Sequence, residues 1–474
     1  MARIVMFVMN PVTYDSRVLR EAATLADAGH EVTVMGTTPE PGGTLEAERV
    51  DGFTVIRVPR PIGWLDAWRR TIVSPWSLRR RSVGRITSGV REGRVGEVAR
   101  GAGAALASLV VSGIRRAWLA VAGRAAASTA DAAAWPPETL TFLADWRFGI
   151  LGWARAAAAE APAADIHHGH DLTGLPAAIA AAEGTGARIV YDSHEIFLES
   201  GRYATRARWL RWVFGRVERR WSRRSDALIT VNHAYADVLR RRLRPRRTVV
   251  VHNCPPRWRR PDGAPDRLRE AAGIPAGDPV VLYHGVFTTG RGLEELAAAC
   301  EAIAGREADR QVHLAYLGYG GQRPTLERLA EEPSGAGRLH VLDAVPPSAL
   351  LDWIATANVD AIPLQRTSLN HWLCTPNKLF ESIAAGVPVV VSDFPEMRRI
   401  VLDEGAGPLG AVCDPAEPAS IAAAIRSILD LPPDALATLR DRCRAAADAR
   451  WNWETESQAL LALYAELSSG LSQG

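Results

Sequence analysis

The chain has 474 residues, 47% hydrophobic and 23% charged; at roughly 100–200 residues per domain it holds two or three domains with sizeable cores. That composition excludes a disordered, collagenous or coiled-coil chain. The formal charge of +3 hides a division: residues 57–124 hold 14 Arg against 3 acids and residues 202–247 hold 15 against 3, whereas residues 248–474 hold 20 basic and 29 acidic residues. Of the 56 basic residues 55 are arginine, and Lys378 is the single lysine.

Residues 3–9 read as a buried parallel strand, with no charged leader and cleavage site before it, so a cytoplasmic location is expected. Residues 16–29 follow as an amphipathic helix, with Val18, Leu19, Ala22, Leu25 and Ala26 at helical spacing and Gly29-His30 at its end. Strands at 31–36 and 54–58 complete the βαβ opening of a doubly wound sheet. After Pro59 the alternation breaks: residues 60–135 are rich in Arg, Trp and Ala and read as helical, without strands. No stretch reaches the ~18 apolar residues of a membrane span; the run 104–114 is cut by Arg115-Arg116. Strand–helix alternation resumes at 165–168, 188–192, 227–231 and 248–252, and Pro255–Pro265 reads as a linker. A second alternating block has strands at 280–285, 313–318, 339–342, 359–363 and 387–392. The five cysteines show no CxxC spacing, which fits a reducing compartment with no disulfide framework or zinc site. The fold class is therefore α/β, with two domains of similar build whose chemistry is expected outside the carboxyl ends of the strands.

The most informative block is Thr375-Pro376-Asn377-Lys378-Leu379-Phe380-Glu381, followed by a small-residue run and Gly386-Val387-Pro388-Val389-Val390. Pro376 starts a helix, Gly386-Val387-Pro388 ends it, and a strand follows. A helix start beside a strand end offers free N–H groups and a positive dipole to an anion. Lys378 adds a point charge there, and Glu381 can accept hydrogen bonds from sugar hydroxyls; a solvated Lys-Glu pair is the alternative.

This block resembles the nucleotide-sugar site of the group 1 retaining glycosyltransferases, which have the GT-B fold. Further blocks occur in the family's order: Asp15-Ser16-Arg17-Val18, His168-Gly169-His170-Asp171, Tyr191-Asp192-Ser193-His194-Glu195, Val251-His252-Asn253, Tyr283-His284-Gly285, Gly290-Arg291-Gly292, Leu317-Gly318-Tyr319-Gly320 and Trp451-Asn452-Trp453-Glu454. The resemblance covers nearly the whole chain outside residues 60–135. It implies two Rossmann-like domains facing across a cleft, with a helical Arg/Trp-rich insertion in the first. The expected division is an acceptor-side domain over 1–258, a donor-binding domain over 266–450, and a last segment, 451–474, whose helix packs back on the first domain.

The resemblance also implies site roles. Lys378 and Arg291, the latter in the Gly290–Gly292 turn where the family usually has lysine, hold the donor diphosphate without a metal or other cofactor. Glu381 holds the nucleotide ribose. Asn377, Thr375, His371, Gly318 and Val345 line the donor sugar and base, with Asn370 a further polar candidate. His194 is the catalytic candidate, beside the reacting sugar. Asp15, Arg17, His168 and His170 are expected on the acceptor side of the cleft, with Asp15 alternatively capping the helix after it. A metal reading of His168, His170 and Asp171 lacks further ligands at suitable spacing. Two positions depart from the family: Val286 follows Gly285 where an arginine is usual, and Leu373 stands eight positions before Glu381 where an acid is usual.

Trp64, Trp68, Trp76 and Trp118 lie among arginine clusters, and residues 206–224 repeat the mixture. Trp and Arg at helical spacing suit an anionic membrane surface or an anionic acceptor. Nucleic acid is not expected, because no reader motif is present and the second half is acidic. The expected activity is retaining transfer of a hexose from a nucleotide diphosphate sugar to a glycan or lipid-linked acceptor. A nucleotide-sugar 2-epimerase and a non-catalytic donor-binding scaffold are the alternatives.

Overall fold

The computed structural model describes residues 1–40, 43–60, 102, 136–304, 311–405 and 407–469. Apart from residues 60 and 102, the expected 60–135 insertion lies outside them. The described residues fall into two compact units, one of Met1–Ile229 with Arg242–Arg247 and Ala465–Gly474, the other of Thr230–Arg241 with Thr248–Tyr464.

The first sheet contains β1 (Arg3–Phe7), β2 (Glu31–Thr37), β3 (Glu46–Val50), β4 (Phe53–Val58), β5 (Ile166–His170), β6 (Arg188–Ser193), β7 (Ala227–Thr230) and β8 (Thr248–Val250), in the order β3-β4-β2-β1-β5-β6-β7-β8. Its centre is parallel, and β1 and β5 are buried along almost their whole length. Such strands read as continuous apolar runs because helices cover both faces. The antiparallel β3 was not expected. Its sequence, EAERV, is mostly exposed, and it pairs with β4 through Asp51-Gly52, both at positive φ (42° and 86°). An Asp-Gly pair in that conformation is the two-residue hairpin turn that matches strand twist.

The second sheet contains β9 (Val280–Val286), β10 (His313–Tyr319), β11 (Leu339–Asp343), β12 (Val359–Ile362), β13 (Val389–Ser392) and β14 (Gly410–Cys413), in the order β11-β10-β9-β12-β13-β14. All its pairings are parallel. One face packs Val281, Tyr283, Phe287, Leu314 and Tyr316 against Leu296, Ile421 and Ile425 of the flanking helices. The strand order reverses between β1 and β5 in the first sheet and between β9 and β12 in the second, the positions where doubly wound sheets open a crevice. The helix Trp453–Ser469 begins within the second unit, where the Trp453 N–H donates to the Pro255 carbonyl (2.9 Å) and His252 Nδ1 lies 3.0 Å from Glu456. Among the described residues no helix is long and apolar enough to cross a membrane.

Candidate active site

In the second unit the expected donor residues gather at the carboxyl end of β9. Helix Asn377–Ala384 buries Leu379, Phe380 and Ile383 and brings the Lys378 ammonium 3.6 Å from the centre of the Tyr283 ring. Gly285 lies beside it at φ 111°, a backbone conformation that side-chain-bearing residues rarely adopt. The Gly290–Gly292 turn is fastened by Gln365 N–H donating to the Gly290 carbonyl (2.9 Å), and Gly290 lies against Thr367 and His371. His371 Nδ1 in turn hydrogen-bonds Thr367 Oγ1 (2.7 Å). Burial, then the charge of Arg291, pushes the Lys378 pKa down to about 7. Two cations are thus held where each resists the other, an arrangement that a bound dianion relieves.

Glu381 is fixed from behind by groups that the sequence reading did not single out. His284 Nε2 lies 3.0 Å from Glu381 Oε2, and its Nδ1 lies 3.3 Å from Asp360 Oδ2. Ser382 donates to the same Asp360 oxygen at 2.5 Å. Burial opposes charge on His284, but Asp360 and Glu381 outweigh it and raise its pKa to about 9. The imidazolium therefore bridges a fully buried carboxylate and a partly exposed one.

The remaining donor-side candidates are placed less uniformly. Asn377 is exposed and accepts from Asn253 (2.9 Å). Thr375 is buried, with Asn232 Nδ2 3.3 Å from its hydroxyl, and Asn370 is buried with its carbonyl accepting from Tyr235 (2.8 Å). Both contacts hold the segment before the helix in place, so these two residues face packing and not open solvent. Gly318 lets β10 approach β9, because a Cβ there would meet the Gly285 carbonyl oxygen at 1.9 Å. Val345 is half-buried against the core around Leu282 and Leu317.

In the first unit, β5 and β6 pair His170 with Asp192, and helix Ser16–Asp27 lays Arg17 and Glu21 beside them. Arg17 Nε and Nη2 donate to the two Asp192 oxygens (2.9 and 3.2 Å), and Nη2 lies 3.0 Å from Glu21. His194 Nε2 is 3.2 Å from Asp192 and 3.1 Å from His170 Nδ1, and His168 stacks on His170 with ring centres 4.1 Å apart. Asp171 stands in the left-handed region (φ 54°), a strained conformation for a side-chain-bearing residue, and accepts from the His194 N–H at 3.2 Å.

Arg17, His168 and His170, expected on the acceptor side of the cleft, are all buried: Arg17 lies with Glu21 on the helix face that also carries Val18, Ala22 and Leu25, and the two histidines lie on β5. Asp15 caps that helix, accepting from the Val18 N–H (3.2 Å) and Asn10 (2.8 Å). Only His194 of the histidine cluster reaches the surface, its side chain 19% exposed. Burial opposes its charge, but Asp171 and Asp192 outweigh burial and raise its pKa to about 10, so it is an imidazolium and a hydrogen-bond donor, not a base. Burial pushes His168 well below the ordinary histidine value and raises Glu21 to about 8. Glu21, His168, His170 and Asp192 have ligand-type atoms all within 4.8 Å of one another, a convergence that sequence spacing did not reveal. The Arg17 guanidinium lies among these atoms, against both Asp192 and Glu21.

The sequence matches the family described as glycosyl transferases group 1 over residues 278–430 and glycosyltransferase family 4 over residues 117–254. It is 30% identical over 208 residues to the D-inositol 3-phosphate glycosyltransferase of Xylanimonas cellulosilytica, a stretch covering 42% of this chain and 45% of that protein. The chain thus spans less than half the length of that relative. The fold resembles sucrose-phosphate synthase from Thermosynechococcus elongatus (TM-score 0.63, 18% identity, 99% of this chain and 100% of that one). It also resembles the E. coli trehalose-6-phosphate protein bound with UDP-2-fluoro glucose (TM-score 0.63, 13% identity, 98% of each chain). With glycosyltransferase families matching both halves in order, and two predominantly parallel sheets in a fold like that of these structures, the chain belongs to the group 1 glycosyltransferases and has the GT-B fold.

Proposed function

We propose that the protein is a retaining glycosyltransferase that moves a hexose from a UDP- or GDP-sugar to a glycan or lipid-linked acceptor, in cytoplasmic synthesis of cell-envelope polysaccharide or glycolipid. The observation that carries this reading is the pairing of Lys378 with Arg291 at the switch point of the second sheet, one helical turn from Glu381. Breaking the sugar–phosphate bond leaves charge on the departing diphosphate, and fixed cations in a poorly solvated site stabilise it without a metal. Glu381, oriented by His284, accepts from the ribose hydroxyls. The role proposed for His194 is positioning and polar stabilisation of the reacting sugar. Its imidazolium charge suits donation to an oxygen and excludes it as a general base.

Nucleotide release from a panel of UDP-, GDP- and ADP-sugars, with and without membrane extract, tests the assignment. Turnover that requires acceptor supports transfer; an isomerised donor would make the protein a 2-epimerase, and binding without turnover a scaffold. Within this reading His284→Asn raises the donor KM about tenfold, the cost of one lost charge-assisted hydrogen bond, and leaves kcat nearly unchanged. A fall in kcat at unchanged KM would remove His284 from donor binding.

A further inference from the structure

The first unit carries a surface that sugar transfer leaves unused. Helix Arg208–Ser222 buries Leu210, Phe214, Glu218 and Ser222, a row at four-residue spacing, and turns other residues outward. Trp209 and Trp212 are 58% and 60% exposed, and Val213 follows at 38%. The neighbouring helical segments Pro136–Ala144 and Asp145–Ile150 pack Phe142 and Trp146 onto Phe214, with ring centres 5.4 and 4.6 Å apart. They expose Leu140, Leu143 and Phe148 in turn. Six of the eleven large hydrophobic side chains exposed among the described residues therefore lie on these three packed helical segments. Such a concentration marks an interaction surface rather than scattered surface apolarity.

The charge is equally one-sided. Arg208, Arg216, Arg220 and Arg223 are exposed and have no carboxylate partner among the described residues. The one acid on the helix, Glu218, is buried against the Tyr191 hydroxyl (3.0 Å). Arg216 lies 4.1 Å from the Trp212 ring centre, so cation and indole share one outward patch. Partial burial, then Arg223, Arg244 and Arg216, lowers the Arg219 pKa, as expected of cations crowded without counter-charge. A nucleic acid or an acidic protein would answer the arginines but leave Leu140, Leu143 and Val213 in water. A bilayer with anionic headgroups answers both: apolar side chains enter the acyl boundary, indoles sit at headgroup level, and guanidinium groups meet lipid phosphates.

We infer that this face of the first unit rests on an anionic phospholipid bilayer, with Trp209 and Trp212 at the headgroup level and Arg216, Arg220 and Arg223 on lipid phosphates. Binding is measured without donor or acceptor, so its failure is separate from failure of the transfer assignment. The full chain is sedimented with vesicles of phosphatidylcholine alone and of phosphatidylcholine with phosphatidylglycerol, at low and physiological salt. The protein binds the anionic vesicles, more weakly as salt rises, and brominated lipid quenches its tryptophan emission. Trp209→Ala with Trp212→Ala, and separately Arg216→Glu with Arg220→Glu, each weaken partitioning about tenfold or more and leave the melting temperature unchanged. Absence of binding to anionic vesicles at low salt overturns the inference, as does wild-type binding by both double variants. Lower melting temperatures with unchanged binding would assign the face to residues 61–135 of the same chain and overturn it too.

Discussion

Lys378→Ala weakens donor binding by about 2–4 kcal/mol, or thirty- to a thousandfold in Kd, as for truncating one partner of a desolvated charge pair. Lys378→Arg does not rescue it, because the ammonium sits over Tyr283 and beside Gly285, in a space shaped for a point charge and not a planar fork. The wild-type pH dependence carries a specific sign. The Lys378 pKa is held down to about 7 by partial burial and then by the charge of Arg291, and a bound diphosphate favours the protonated form. Donor binding therefore takes up a proton above pH ~7, and affinity falls with rising pH by at most about tenfold per unit. Calorimetry in buffers of different ionisation enthalpy reads that uptake directly. Unchanged affinity in Lys378→Ala, or no proton uptake at pH ~8, refutes the assigned role.

Removing the cation of the first unit is expected to be as damaging, through stability. Arg17→Met leaves Asp192 and Glu21 buried with no guanidinium between them, at a cost of about 3–5 kcal/mol. A domain of this size then melts on the order of 10 °C lower. Asp192→Asn is the complementary change, because it removes an acceptor shared by Arg17 and His194. His194 is raised to about 10 in the folded protein by Asp171 and Asp192 against burial. A raised histidine contributes stability that is complete below its unfolded pKa of about 6.5 and is lost as pH rises through the folded value. The wild type accordingly loses stability between pH ~6.5 and about 10, and Asp192→Asn flattens that slope. Imidazole NMR titration checks the same point: a His194 pKa unmoved in Asp192→Asn removes Asp192 as its partner.

The parallel strands were legible because buried strands must be apolar on both faces, as in Ile4–Phe7 and Val280–Tyr283. β3 escaped because an exposed edge strand such as EAERV carries no such signal; the Asp51-Gly52 pair was its only mark. The donor block was legible for a local reason. Lys378 and Glu381 lie three residues apart on one helix, so sequence spacing is already spatial proximity. A trace of the buried ion pair was also present, since Arg17 and Glu21 share a helix face with Val18 and Ala22.

By itself the sequence determined two α/β units, the family, and the placing of the lone lysine at a helix start beside a strand end. Only the tertiary structure decided which groups hold those motifs in place. His170 meets Asp192 through the register of β5 on β6, and His284 on β9 meets Asp360 of the paired β12 and Glu381 of helix Asn377–Ala384. These partners are separated by long crossovers, and nothing in local composition specifies which strand lies beside which. The same packing sets their charge: the carboxylates it brings up make His194 and His284 cations against their burial, while burial and Arg291 weaken the charge on Lys378.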